Sequence, residues 1–132
     1  MSRLITFALL VLMGTTYCVS ADTPMPLSER TSLQLTMQNH IQRSLVNGVY
    51  LHLDTQGGAV HKLQPSDAHP VILGLDEYYV LCSDFLDEAG KHVNVDFYVA
   101  KKTNGYVVFS SQVANRALIM RLVQSGKARR LN

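Results

Sequence analysis

Between Tyr78 and Val113 three runs of alternating apolar residues are joined by two short loops, Glu88-Ala89-Gly90 and Thr103-Asn104-Gly105, each ending in glycine. Period-two alternation marks strands with one face in a core. A three-residue hairpin loop is commonly a type I turn closed by a residue at positive φ, which glycine adopts without steric cost. The stretch therefore predicts a three-stranded antiparallel meander. These loops place Asp87 opposite Lys91, Phe85 opposite Val93 and Leu81 opposite Phe97. Across the second loop they place Lys102 opposite Tyr106, Lys101 opposite Val107 and Val99 opposite Phe109. One face then carries Tyr79, Leu81, Phe85, Val93, Val95, Phe97, Val99, Val107 and Phe109. The other carries Val80, Cys82, Asp84, Asn94, Asp96, Tyr98, Tyr106 and Val108. A rival two-residue turn at Asn104-Gly105 would slip the second pairing by one residue and move side chains to the opposite face. Three-residue loops sort the apolar residues more cleanly.

Upstream, Leu33, Met37, Ile41 and Leu45 recur every four residues, the spacing of one helix face. Ser28 or the capping box Thr31-x-x-Gln34 can start this helix, and Asn47-Gly48 can stop it. Its stripe suits a position across the apolar face of the meander. Residues 49–54 alternate as a half-buried strand, Thr55-Gln56-Gly57-Gly58 reads as a turn, and residues 59–63 return. Residues 64–70 read as a loop, and 71–75 as a short edge strand or a lead-in. Asn115 can cap a final helix with Leu118, Ile119, Leu122 and Val123 on one side and Gly126 at its end. Residues 127–132 read as a basic tail.

Residues 1–21 have the form of a secretory signal peptide: Arg3, an apolar core from Leu4 to Met13, and Val19-Ser20-Ala21 as a cleavage site. The apolar run is shorter than the roughly 20 residues of a spanning helix, so no stable membrane anchor is expected after cleavage. Bulky Tyr17 before Cys18 does not suit lipid modification. The expected location is outside the cytoplasm, periplasmic or secreted. Cleavage would leave an extended lead-in at 22–27, one domain at 28–126, and Cys82 as the only cysteine. That excludes an intramolecular disulfide and leaves burial or an intermolecular bond.

Charge is unevenly distributed. Residues 54–96 hold eight acids against Lys62 and Lys91, whereas residues 97–132 hold seven bases and no acid. The basic density falls below that of a nucleic-acid footprint, so no nucleic acid is expected. Acidic and basic segments that meet in the fold, or between subunits, account for the split.

No G-x-S-x-G elbow, P-loop, G-x-G-x-x-G, C-x-x-C or H-E-x-x-H occurs, and no cofactor is implied. Three constellations remain. His52 and Asp54 project from one strand face, and a four-residue loop at 55–58 sets His61 opposite His52, a donor set that suits a divalent transition metal. Other registers of this hairpin separate the three residues, which are then ordinary polar positions. On the mixed meander face Asp84 and Asp96 are diagonal neighbours, roughly 7–8 Å apart, with Tyr98 and Tyr106 beyond. Desolvated, such a pair can perform acid–base chemistry. The same face offers Val80, Cys82, Tyr98, Tyr106 and Val108 as an apolar band for a partner or a second copy, unless the terminal helix covers it. His40 and His92 read as structural or solvated.

The expected class is α+β: a long N-terminal helix across an antiparallel sheet of four to six strands, then a short C-terminal helix. Cystatin-like and nuclear-transport-factor-like folds share that layer order, which carries no function with it. The expected function is that of an exported accessory or binding protein acting through a sheet face or as a dimer. A small-ligand carrier or enzyme with a pocket between helix and sheet, and a metal-binding protein, are the alternatives.

Overall fold

The computed structural model of this protein describes residues 24–131. The expected signal peptide, Cys18 and the start of the expected lead-in lie outside the described residues. The chain runs α1 (Leu27–Ser44), β1 (Leu45–Val46), β2 (Val49–Leu53), β3 (Val60–Leu75), β4 (Tyr78–Leu86), β5 (His92–Lys102), β6 (Gly105–Val113), α2 (Arg116–Gln124) and β7 (Ala128–Leu131). The strands form one antiparallel sheet in the order β1-β2-β3-β4-β5-β6, with β7 on β3. The α+β class holds, with seven strands among the described residues. No described helix is long and apolar enough to cross a membrane.

α1 buries the stripe set by its spacing: Leu33, Met37 and Ile41 lose nearly all contact with solvent. They meet Leu81, Phe85, Val95, Phe97 and Val99 of the sheet. Each such side chain contributes about 1.5–3 kcal/mol. Neither expected end of the helix is used. It starts at Leu27 without a side-chain cap, and the Gln34 amide donates instead to the His69 carbonyl, 3.0 Å away. It stops at Ser44, where Leu45 turns extended. Asn47 (φ 50°) and Gly48 (φ 83°) then form the two-residue turn between Val46 and Val49. Positive φ at both central residues is the type I′ requirement that favours Asn-Gly.

β3 corrects a second expectation. Residues 60–75 are one long strand rather than two short pieces around a loop. Its first residues pair with β2 and its remainder with β4, with irregularities between Pro65 and Ala68 and between Ala68 and Ile72. Proline lacks the N–H of a regular ladder and is accommodated where the pairing is broken. Residues 72–75 pair with β4 and also with β7, so the expected basic tail is a strand. Gly74 admits it: a Cβ there would stand 3.2 Å from Leu131 Cδ1.

The β4–β5 register is the expected one, with Leu81 opposite Phe97, Asp84 opposite Asn94 and Phe85 opposite Val93. Asp87 organises its turn by accepting the Ala89 and Lys91 N–H groups on Oδ1, both at 2.9 Å. The β5–β6 hairpin departs from both expected registers. Its loop is Thr103-Asn104, Lys102 pairs with Gly105, and Val99 pairs with Val108. The ladder then skips Phe109, so that Tyr98 pairs with Ser110 and Phe97 with Ser111. Beyond the bulge the expected pairing is restored. Within it, every side chain from Tyr106 to Phe109 changes face. Tyr106 and Val108 join the α1 core, whereas Val107 and Phe109 stand exposed.

Candidate functional site: the sheet face beneath α2

The sheet face away from α1 carries Val80, Cys82 and Asp84 on β4 opposite Tyr98, Asp96 and Asn94 on β5. α2 lies over its apolar end, where Ile119 packs with Val80 and Tyr98. Cover by the terminal helix is thus real but partial. Of the residues expected on this face, Val80, Cys82, Asp84, Asp96 and Tyr98 are brought together. Tyr106 and Val108 are not, because the bulge turns them inward. There the Tyr106 and Tyr79 hydroxyls both donate to Glu29 Oε1 of α1, at 3.0 and 2.7 Å.

A continuous polar network crosses the other end of the face. His69 Nε2 lies 2.8 Å from Asp84 Oδ2. Asn94 Nδ2 donates to Asp84 Oδ1 (3.1 Å) and to Cys82 Sγ (2.6 Å). Arg116, the first residue of α2, donates to Asn94 Oδ1 (3.2 Å) and Asp96 Oδ1 (3.1 Å). Asp96 is only 1% exposed, and its Oδ2 has no partner among the described residues, nor has the buried Tyr98 hydroxyl. Buried polar atoms are almost always paired, which singles out this end of the sheet.

The environment drives the two carboxylates apart. Hydrogen bonds from His69 and then Asn94 hold Asp84 below the usual carboxylate range. Burial raises Asp96, and Arg116 opposes that only in part. Burial also pushes the Cys82 thiol up to about 11. At neutral pH it is a thiol, the form that lacks nucleophilic power. Cys82 is half-buried and free, and it accepts a hydrogen bond from Asn94.

A recess of about 350 Å³ opens between α2 and this face. Its walls are apolar, from Leu73 and Val80 on the sheet and Ile119, Met120 and Val123 on α2. Cys82 and Asp96 contribute polar atoms to the lining, as do His69, Arg116 and Arg130. His69, Arg116 and Arg130 escape a sequence reading. They lie on a kinked strand, a helix start and an assumed tail, and only the tertiary fold brings them to one place. The centre of the space between α1 and the sheet is filled by buried apolar side chains, and a recess of about 370 Å³ opens at its edge between α1 and β6.

The second constellation comes together along one recess. His52 lies opposite His61, and their rings stack with centroids 6.3 Å apart. Asp54 is occupied by its own turn. Its Oδ1 accepts the Gln56 N–H at 2.9 Å, and the Gln56 and Gly57 amides lower its pKa. Among the described residues no group of three His, Cys, Asp or Glu side chains is placed to hold a metal ion.

No family model, no curated protein and no solved structure matches this chain. The site must therefore be read from its own geometry.

Proposed function

We infer that this is an exported, non-catalytic binding protein that works as a two-fold dimer, paired along the free edge of β6. One observation carries the reading: β6 closes the strand order and contains neither a charged residue nor a proline over nine positions. Solitary edge strands are normally blunted by lysine, proline or inward charge, because their unpaired N–H and C=O groups recruit other strands. Among the described residues no charge or proline guards this edge; a bulge interrupts it and presents apolar groups beside it. Phe109 is 54% exposed and Val107 43%. The Phe109 ring also lies against Tyr78 and Tyr98, at 5.4 and 6.3 Å between centroids.

A second copy fits this edge better than a charged partner does. Antiparallel self-pairing is isologous and brings no like charges together along an uncharged strand. Export rests on the form of residues 1–21 alone.

Sedimentation velocity of the chain from residue 22 onward tests the reading. A dimer at micromolar concentration is expected, and Val107→Lys or Phe109→Asp should yield a folded monomer with an unchanged far-ultraviolet circular dichroism spectrum. A wild-type protein that stays monomeric at high micromolar concentration would overturn the proposal. So would a dimer that survives both substitutions.

A further inference from the structure

We propose that the recess beneath α2 is a binding site for a small amphipathic carboxylate, its apolar tail under α2 and its anionic head on Arg116 beside Asp96. The walls of the recess are aliphatic side chains from both layers. Its volume of about 350 Å³ holds about a dozen non-hydrogen atoms at roughly 30 Å³ each. That is an aliphatic acid of octanoate or decanoate size, near the lower limit of ordinary ligand pockets.

The charges select the sign of the ligand. Arg130 of β7 makes no ion pair or side-chain hydrogen bond among the described residues. Arg116 spends one nitrogen, Nη1, on Asn94 and Asp96, and its side chain remains 55% exposed. A guanidinium offers five N–H donors, so Arg116 retains donors for a carboxylate. His69 adds a third group able to carry positive charge, and Asp96 is the single acid in the lining.

Asp96 explains why the site would sense protons. Its Oδ2 is buried and unpartnered, and the residue lines the recess. A ligand carboxylate delivered to Arg116 comes beside Asp96, and two neighbouring carboxylates cannot both ionise without cost. The bound state therefore keeps one proton between them, as an acid–carboxylate hydrogen bond that gives Oδ2 its missing partner. Cys82 faces Asp96 from β4, Asp84 lies on the diagonal beside His69 of β3, and Arg116 approaches from α2, whereas Arg130 of β7 stands beyond β3 and β4 at the far end of the recess. Tyr98 follows on Asp96's own strand. Only the ligand adds negative charge next to Asp96, so binding takes up a proton and weakens as pH rises through the bound-state pKa.

The test is a titration of the intact domain with octanoate, followed by methyl nuclear magnetic resonance and calorimetry, with octylammonium as the charge-reversed control. Saturable 1:1 binding of octanoate is expected, with shifts at the Leu73, Val80 and Ile119 methyls. Affinity should fall by up to about tenfold per pH unit between the free-state and bound-state pKa values and level off above the latter. Met120→Glu, an exposed position on α2, should weaken binding by about tenfold or more by placing a like charge at the tail. Asp96→Asn should flatten the pH dependence. No saturable binding of octanoate, shifts confined to other surfaces, or preference for octylammonium would each overturn the proposal. None of these readouts depends on whether β6 pairs.

Discussion

Asp96→Asn isolates the one carboxylate that the fold buries almost completely among the described residues. In the wild type the carboxylate keeps one hydrogen bond from a half-exposed arginine and leaves Oδ2 unpaired. An ion pair with an exposed partner contributes about 0.5–1 kcal/mol. Removing an ion from water costs several kcal/mol, and neutral replacements of buried pairs often stabilise by about 1–4 kcal/mol. The amide can still accept from Arg116 through its oxygen, but its NH2 takes the unpaired position, which returns part of the gain. The net expectation is a stabilisation of about 1–2 kcal/mol at pH 7.5. For a domain of this size that is roughly 5–10 °C in melting temperature.

The pH dependence makes the prediction specific. Burial raises the Asp96 pKa in the folded state. The stability this group contributes is therefore fully present below the ordinary carboxylate pKa and lost as pH rises through the folded value. The variant escapes that loss, so its advantage should exist at neutral pH and shrink steadily toward pH 3. Thermal unfolding by circular dichroism, run for both proteins across that range, measures it. A variant less stable than the wild type at neutral pH would refute the account of Asp96 as a net cost, as would a difference that does not change with pH.

Asp84 should act in the opposite sense: its pKa is lowered by His69 and Asn94, so its contribution is present above the ordinary carboxylate pKa and lost as pH falls through the folded value. Replacing His69 with Gln should raise the Asp84 pKa, read directly by carboxyl carbon chemical shifts. Cys82, pushed up to about 11 by burial, should react with iodoacetamide at pH 8 at least about tenfold more slowly in the folded than in the unfolded chain. Leu131→Ala should cost about 2–4 kcal/mol in urea unfolding, because Leu131 seats β7 in the main core; a loss under 0.5 kcal/mol would mean that 128–131 is a loose tail after all. Gly48→Ala should cost about 1 kcal/mol, since φ 83° is required in the β1–β2 turn.

Much of the core was legible because local chemistry specified it. The four-residue stripe of α1 and the Glu88-Ala89-Gly90 turn act over a few residues, and the pairs they imply are the pairs observed. His52 and His61 also meet as their turn length dictates. What failed was decided at longer range. Asn47-Gly48 suits a helix stop or a type I′ turn equally well, and the choice went to the turn because Leu45 and Val46 had β2 to pair with. The bulge at Phe109 lets Tyr106 and Val108 reach the α1 core without shifting the Tyr98–Ser110 end of the ladder.

The sequence by itself determined an α+β chain with one helix laid on a meander, and it placed Cys82, Asp84, Asp96 and Tyr98 on a common face. It could do so because periodicity and turn residues act between near neighbours. Only the tertiary structure decided that 128–131 is a strand, that α2 roofs part of that face, and that His69, Arg116 and Arg130 line one recess with Asp96. Those placements depend on edges and surfaces that exist only after β3, β4 and β5 have paired, and no residue spacing encodes them.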